Sequence, residues 1–257
     1  MCILFIAIDQ HPDYPLIIAA NRDEFHARPT QAAHHWQQPD GIIAGKDLQQ
    51  GGTWLGLNKQ GQFAALTNIR APKAHRDDAL SRGHLVSQAL VQQITPQRLA
   101  QNHQQYNPFN LIYSANNTLY CFNSMTARSS ALNAGFHAVC NGKMDDVWPK
   151  MARGEQALEA LVKQAKAKQQ APDCQQMLRL LQDTQQAPEH LLPDTGVGLD
   201  WERMLSSIFI TSSDYGTRSS ALVLKHTSGN IRFFEQTYDR QGNINDQQRF
   251  HVNGQAS

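Results

Sequence analysis

Cys2-Ile3-Leu4-Phe5-Ile6-Ala7-Ile8 and, beyond the turn cluster His11-Pro12-Asp13-Tyr14-Pro15, Leu16-Ile17-Ile18-Ala19-Ala20 decide the fold. Each is a short, continuous apolar run, the pattern of a strand buried on both faces. Paired as a hairpin, the two runs bring Asn21-Arg22-Asp23-Glu24 back beside Cys2. Three charges directly after a buried strand need partners, because an unpaired buried charge is costly. Arg22 and Asp23 point to opposite faces of an extended chain, so one can face Cys2 while the other braces a neighbour.

Outward from this hairpin, 51–57 reads as a third strand with a flexible Gly51-Gly52 entry, 58–61 as a turn and 63–68 as a fourth strand, so the first quarter is expected to be an antiparallel meander. Residues 81–93 read as a helix, and Thr95-Pro96 opens another with Thr95 as N-cap. A hairpin is expected over 109–114 and 118–123, and a short strand over 136–141. Asp146 is expected to cap a helix starting near Trp148-Pro149, with Met151, Leu158, Leu161, Val162 and Ala165 along one stripe. Residues 173–181 form a further helix with Cys174 on its core side, and 206–211, 221–225 and 231–236 read as closing strands. There is no repeated βα unit and no G-x-G-x-x-G, which argues against a parallel nucleotide-binding fold. Apolar residues on both faces of the early strands call for helices covering the sheets from outside.

Composition narrows the class. The 257 residues, 40% of them apolar, suffice for one large domain, taken here as 1–257. With 23 basic and 22 acidic side chains, the chain shows no nucleic-acid footprint. The four cysteines, Cys2, Cys121, Cys140 and Cys174, are scattered without a C-x-x-C pair, which fits neither a disulfide framework nor a zinc site and suits a reducing cytoplasm. The first apolar run lacks a basic leader, and no stretch approaches a membrane span. His34-His35 falls in a loop-like region with no ligands spaced to complete a metal site.

Cys2 follows the initiator methionine. Trimming of Met1 would give one residue both a thiol and a free α-amine, a nucleophile with its own general base. The plain alternative is a small core cysteine beginning a strand. A carboxylate at Asp23 would fix that amine, and an arginine near the thiol would favour the thiolate. Amide donors from Asn68 or Asn141 could stabilise an oxyanion; Asn is also a common residue at strand ends. Trp54 reads as core filling between sheets rather than as pocket wall. Residues 194–202, with Gly196 and Gly198, read either as a mobile lid or as an ordinary surface loop.

Taken in order, Met1-Cys2-Ile3, Asn21-Arg22-Asp23-Glu24-Phe25, Arg28-Pro29, Gly51-Gly52-Thr53-Trp54-Leu55-Gly56, Ala65-Leu66-Thr67-Asn68, Phe109-Asn110-Leu111-Ile112 and Asp214-Tyr215-Gly216-Thr217-Arg218 resemble the NRDE protein family, also called the transport and Golgi organisation protein 2 family. That family is similar to the N-terminal-nucleophile cysteine hydrolases. The resemblance implies an α+β fold, a four-layer αββα sandwich of two antiparallel sheets flanked by helices. It implies Cys2 as nucleophile, Arg22 and Asp23 as its charged neighbours, and Asn68 after the Gly61 turn, with Asn141 and Arg218 as further counterparts. The implied activity is hydrolysis of an amide or other acyl bond, with no cofactor required. The alternative is a non-catalytic binder or carrier of haem, acyl-coenzyme A or a lipid-derived ligand on the same scaffold. Either way the partner is a small molecule; the sequence leaves the oligomeric state open.

Overall fold

The computed structural model describes residues 2–142, 144 and 148–253. The first two apolar runs become β1 (Cys2–Ile8) and β2 (Leu16–Phe25), antiparallel, with Cys2 opposite Arg22 and Ile8 opposite Leu16. β2 does not stop at Ala20: it carries the Asn21-Arg22-Asp23-Glu24 stretch within its ladder. Next come β3 (Thr30–His35), β4 (Ile42–Asp47), β5 (Leu55–Asn58) and β6 (Phe63–Asn68). They are followed by α1 (Gly83–Leu90), α2 (Pro96–Asn102), β7 (Phe109–Ala115), β8 (Thr118–Asn123), β9 (Arg128–Ala131) and β10 (Gly135–Val139). α3 (Pro149–Ala167), α4 (Cys174–Leu181), α5 (Leu199–Met204), β11 (Tyr215–Lys225), β12 (Asn230–Tyr238) and β13 (Ile244–Asn253) complete the described chain.

Two antiparallel sheets result. One runs β10-β1-β2-β11-β12-β13, the other β3-β4-β5-β6-β7-β8-β9 in simple sequence order. Their inner faces close on one core, with Leu4, Ile6, Ile18, Val223 and Phe233 from the first sheet against Ile43, Leu57, Phe63, Ala65 and Ile112 from the second. α3 and α4 cover the outer face of the first sheet, burying Ile3, Phe5, Ile17, Met151, Leu158, Val162 and Met177. α1 covers the second through Leu85, Val86 and Leu90. This is the expected α+β, αββα sandwich.

The expected single meander over the first four strands is corrected: β1 and β2 lie in one sheet, β5 and β6 in the other, with β3 and β4 between them in sequence. His34-His35 is strand, not loop. Residues 206–211 are not a strand. Their apolar side chains are buried, but only Thr211 finds a bridge partner, in Gly216. Thr95 caps α2 by accepting from the Arg98 amide, as expected. Asp146 and Met1 lie outside the described residues; at the start of α3 the N-cap position is Trp148. Among the described residues no helix is long and apolar enough to cross a membrane.

Candidate functional site

Strand alternation divides Asn21-Arg22-Asp23 between the two faces of β2. Asn21 faces outward: its amide donates to the carbonyls of Leu181 (2.7 Å) and Ile208 (2.9 Å) and accepts from Ser220 Oγ (2.6 Å). It ties α4 and the 206–211 segment to the sheet and takes no part in the cavity. Arg22 faces inward with Cys2. Its guanidinium lies over the Trp54 ring, 4.2 Å from the centroid, and donates to Thr30 Oγ1 at 3.1 Å. The Trp54 ring fits because residue 45 is glycine: a Cβ there would lie 2.3 Å from Cη2 of Trp54.

Asp23 is fully buried. Its carboxylate accepts from Thr217 Oγ1 at 2.8 Å, and Thr217 Oγ1 in turn accepts from the Ile210 amide. Burial raises the Asp23 pKa, opposed mainly by Lys150 of α3 and the amino terminus. Lys150 is itself buried, donating to the Leu205 carbonyl at 2.7 Å. Burial also pushes the Cys2 thiol up to about 11; the amino terminus and Arg22 pull it down, while Asp23 and Glu24 add to the rise. At neutral pH the thiol is therefore protonated, and a nearby base has to take its proton before it can attack.

Cys2, Arg22 and Asp23 open into a cavity of about 430 Å³, which Glu24, Trp54, Asn68 and Arg82 also line. Arg28 on the same wall grips Asp47 Oδ2 through Nη2 (2.6 Å) and Nε (3.1 Å). Burial pushes Glu24 up, but the amino terminus, Arg22 and Arg28 outweigh it, so it titrates below the usual carboxylate range. Arg82 donates one bond, to the Pro108 carbonyl at 3.1 Å; burial lowers its pKa, and Glu24 and Cys2 pull it back up.

Four of the six residues expected at the site, Cys2, Arg22, Asp23 and Asn68, therefore line one cavity. The Asn68 side-chain amide has no hydrogen-bond partner among the described residues. Asn141 stands behind it: its Nδ2 donates to the Asn68 carbonyl at 2.9 Å, and its Oδ1 accepts from Cys140 Sγ at 3.1 Å. Arg218 is the extra residue of a bulge between Thr217 and Ser219. It does not line the cavity but donates to the carbonyls of Phe25 (3.0 Å), His26 (3.3 Å) and Arg28 (3.3 Å), closing the turn after β2. Trp54, expected as core, is a half-buried cavity wall. Sequence reasoning missed Arg28, Asp47, Arg82 and Lys150. Of these, Arg28 carried a sequence signal in the Arg28-Pro29 motif; Arg82 precedes Gly83, whose close approach to Gly52 shapes the cavity rim, since a Cβ on Gly52 would lie 2.5 Å from the Gly83 carbonyl carbon. Residues 194–202 are neither free lid nor plain surface loop: Glu202 of α5 is buried and paired with Arg70.

The profile of a family described as Transport and Golgi organisation 2 matches residues 1–240. The transport and Golgi organization protein 2 homolog of Bos taurus is 31% identical over 259 residues, covering 92% of this chain and 93% of that protein. The homolog of Homo sapiens is 30% identical over 258 residues with the same coverage. Among solved structures, the mutant C2A conjugated bile acid hydrolase from Clostridium perfringens superposes with a TM-score of 0.52 at 9% identity, covering 100% of this chain and 98% of that one. That likeness is one of fold.

Proposed function

The chain belongs to the Transport and Golgi organisation 2 family, and on that premise we propose that it is an N-terminal-cysteine hydrolase acting on an amide or other acyl bond. The observation that carries this reading is the cavity where Cys2, Arg22, Asp23 and Asn68 meet at the end of the β1–β2 ladder. Removal of Met1 places an α-amine on Cys2. That amine takes the proton from Sγ, and the thiolate attacks the acyl carbon. Arg22, held over the Trp54 ring, favours the thiolate. The oxyanion draws on the side-chain amide of Asn68 on the cavity wall. The ammonium returns its proton to the leaving group as the carbon–nitrogen bond breaks, and water then releases the acid from the thioester. The raised thiol pKa makes an attached base necessary, which is what an N-terminal cysteine supplies.

The same raised pKa favours a second reading, a carrier that holds an acyl ligand without turning it over. Such a carrier would offer haem Cys2 and His75 as iron ligands and Trp54, Leu66 and Leu80 as apolar wall, and an acyl ligand the charged groups beside them.

Intact-mass measurement, followed by a screen of amide and thioester substrates against wild type and Cys2→Ala, tests the proposal. The expected result is Met1-free protein whose activity falls at least about 10³-fold in the variant. Unchanged activity in Cys2→Ala defeats it. Retained Met1, with equal ligand affinity in both proteins and no turnover, establishes the carrier.

A further inference from the structure

β3 is the edge strand of its sheet, and its pairing with β4 slips between Gln31 and His34. The slip removes the Ala33 amide from the β4 ladder. Glu235 of β12, in the opposite sheet, takes that amide: its Oε1 accepts from Ala33 N at 2.6 Å. Glu235 is fully buried on the inner face beside Ala221 and is the carboxylate that crosses between the sheets here. A buried carboxylate on this mostly apolar inner face is destabilising unless something requires it.

What it holds is the strand that orients Arg22. Three residues before Ala33, Thr30 Oγ1 accepts from Arg22 Nη1 at 3.1 Å and donates to the Arg28 carbonyl at 3.3 Å. The Trp54 ring lies against the same guanidinium, 4.2 Å from centroid to Cζ. Fixing β3 against the first sheet therefore fixes Thr30, the one side chain among the described residues that hydrogen-bonds the Arg22 guanidinium. We infer that Glu235 is a positioning residue for the Cys2 site, acting through β3 and Thr30 to hold Arg22 beside the thiol. This role belongs to the site proposed above, but its test reads thiol reactivity, so a chain that hydrolyses nothing still passes or fails it.

The test is a double-mutant cycle on the alkylation of Cys2 by iodoacetamide at pH 8, followed by peptide mass spectrometry, with half-buried Cys174 on α4 as internal control. Glu235→Ala and Thr30→Val are each expected to slow Cys2 alkylation about tenfold, the scale of one pKa unit at a thiol that loses a guanidinium neighbour. Cys174 alkylation stays unchanged. The double variant is no slower than either single one, because both act on one link. Glu235→Gln, which keeps an acceptor for Ala33, restores the rate to within about twofold of wild type. Should Glu235→Ala fail to fold, Glu235→Asp, one methylene too short to reach the amide, takes its place in the cycle. A wild-type rate in the Glu235 variant, or a double variant slowed by the product of the two single effects, overturns the assignment.

Discussion

Burial sets the charge of Glu235, and that charge makes stability depend on pH. Its pKa is raised from 4.5 to about 7, chiefly by burial, against the pull of the Ala33 amide and Arg22; Asp246 of β13 adds to the rise. The unfolded chain releases this proton near the ordinary glutamate value, the folded chain only near 7. Between those values the native state holds more protons than the unfolded one, so stability is fully present below about pH 4.5 and is lost as pH rises through 7. The loss approaches roughly 3 kcal/mol. Asp23, also raised by burial, contributes with the same sign. Glu235→Gln removes only the first contribution. Urea denaturation of both proteins at pH 5 and pH 8 should therefore show the variant gaining on wild type by up to that amount, and a difference independent of pH would sink the assignment. At this scale the sequence was legible where residues are neighbours in one hairpin: Cys2 opposite Arg22 follows from two apolar runs and a turn. Glu235 and Thr30 were not legible, because their link to Arg22 depends on how two sheets stack and on a slip in an edge strand. Asn141 and Arg218 show the converse, polar residues near the site in space whose donors are committed to the Asn68 carbonyl and the turn after β2.

Elements declared themselves in the sequence when their own residues supplied the driving force. β1, β2, β7 and β8 are apolar runs bounded by turn residues, and the β7–β8 turn places Asn116 and Asn117 at φ of 48° and 58°, which asparagine tolerates. β3, with Ala33 its one buried residue, and β13, exposed over most of its length, have no such pattern; each exists because a neighbouring strand offers it a ladder. The stretch at 206–211 is the reverse case, an apolar run that is buried yet forms no strand, meeting β11 only through the Thr211–Gly216 bridge and the bonds between Ile210 and Thr217. α3 shows what places a helix once it forms. Its Gly154 sits directly on Phe5 of β1, and a Cβ there would lie 2.1 Å from Cζ of that ring. Gly154→Ala has a better intrinsic helix propensity by about 1 kcal/mol, yet it forces α3 off the sheet or Phe5 out of its rotamer. A net destabilisation of about 1–3 kcal/mol is expected, read as a lower urea midpoint at unchanged slope. A variant as stable as wild type would show that α3 is free to lift.

Across the whole molecule, one buried ion pair joins parts that no sheet ladder connects. Arg70, two residues beyond the end of β6, pairs with Glu202 of α5, both side chains being 4% exposed. Glu202 Oε1 also accepts from the amide (2.8 Å) and hydroxyl (2.6 Å) of Thr195, so it gathers the 194–202 stretch as well. Arg70 lies 5.2 Å from the Trp148 ring centroid, and its amide donates to the Asn141 carbonyl at 2.8 Å. The pair thus braces the second sheet, beside Asn68, against the segment that leads into β11 of the first. Among the described residues, Nε and Nη2 of Arg70 are buried without hydrogen-bond partners, and Glu202 is the carboxylate its guanidinium meets. Glu202→Ala leaves an uncompensated buried charge and should lower stability by about 3–5 kcal/mol. Replacing both groups by apolar residues of similar volume, Arg70→Met with Glu202→Leu, removes the stranded charge and should recover most of that loss. Equilibrium denaturation of the three proteins decides the matter. A double variant no more stable than Glu202→Ala would mean that the contacts of Glu202 with Thr195, rather than its charge, hold the two sheets in register at the cavity.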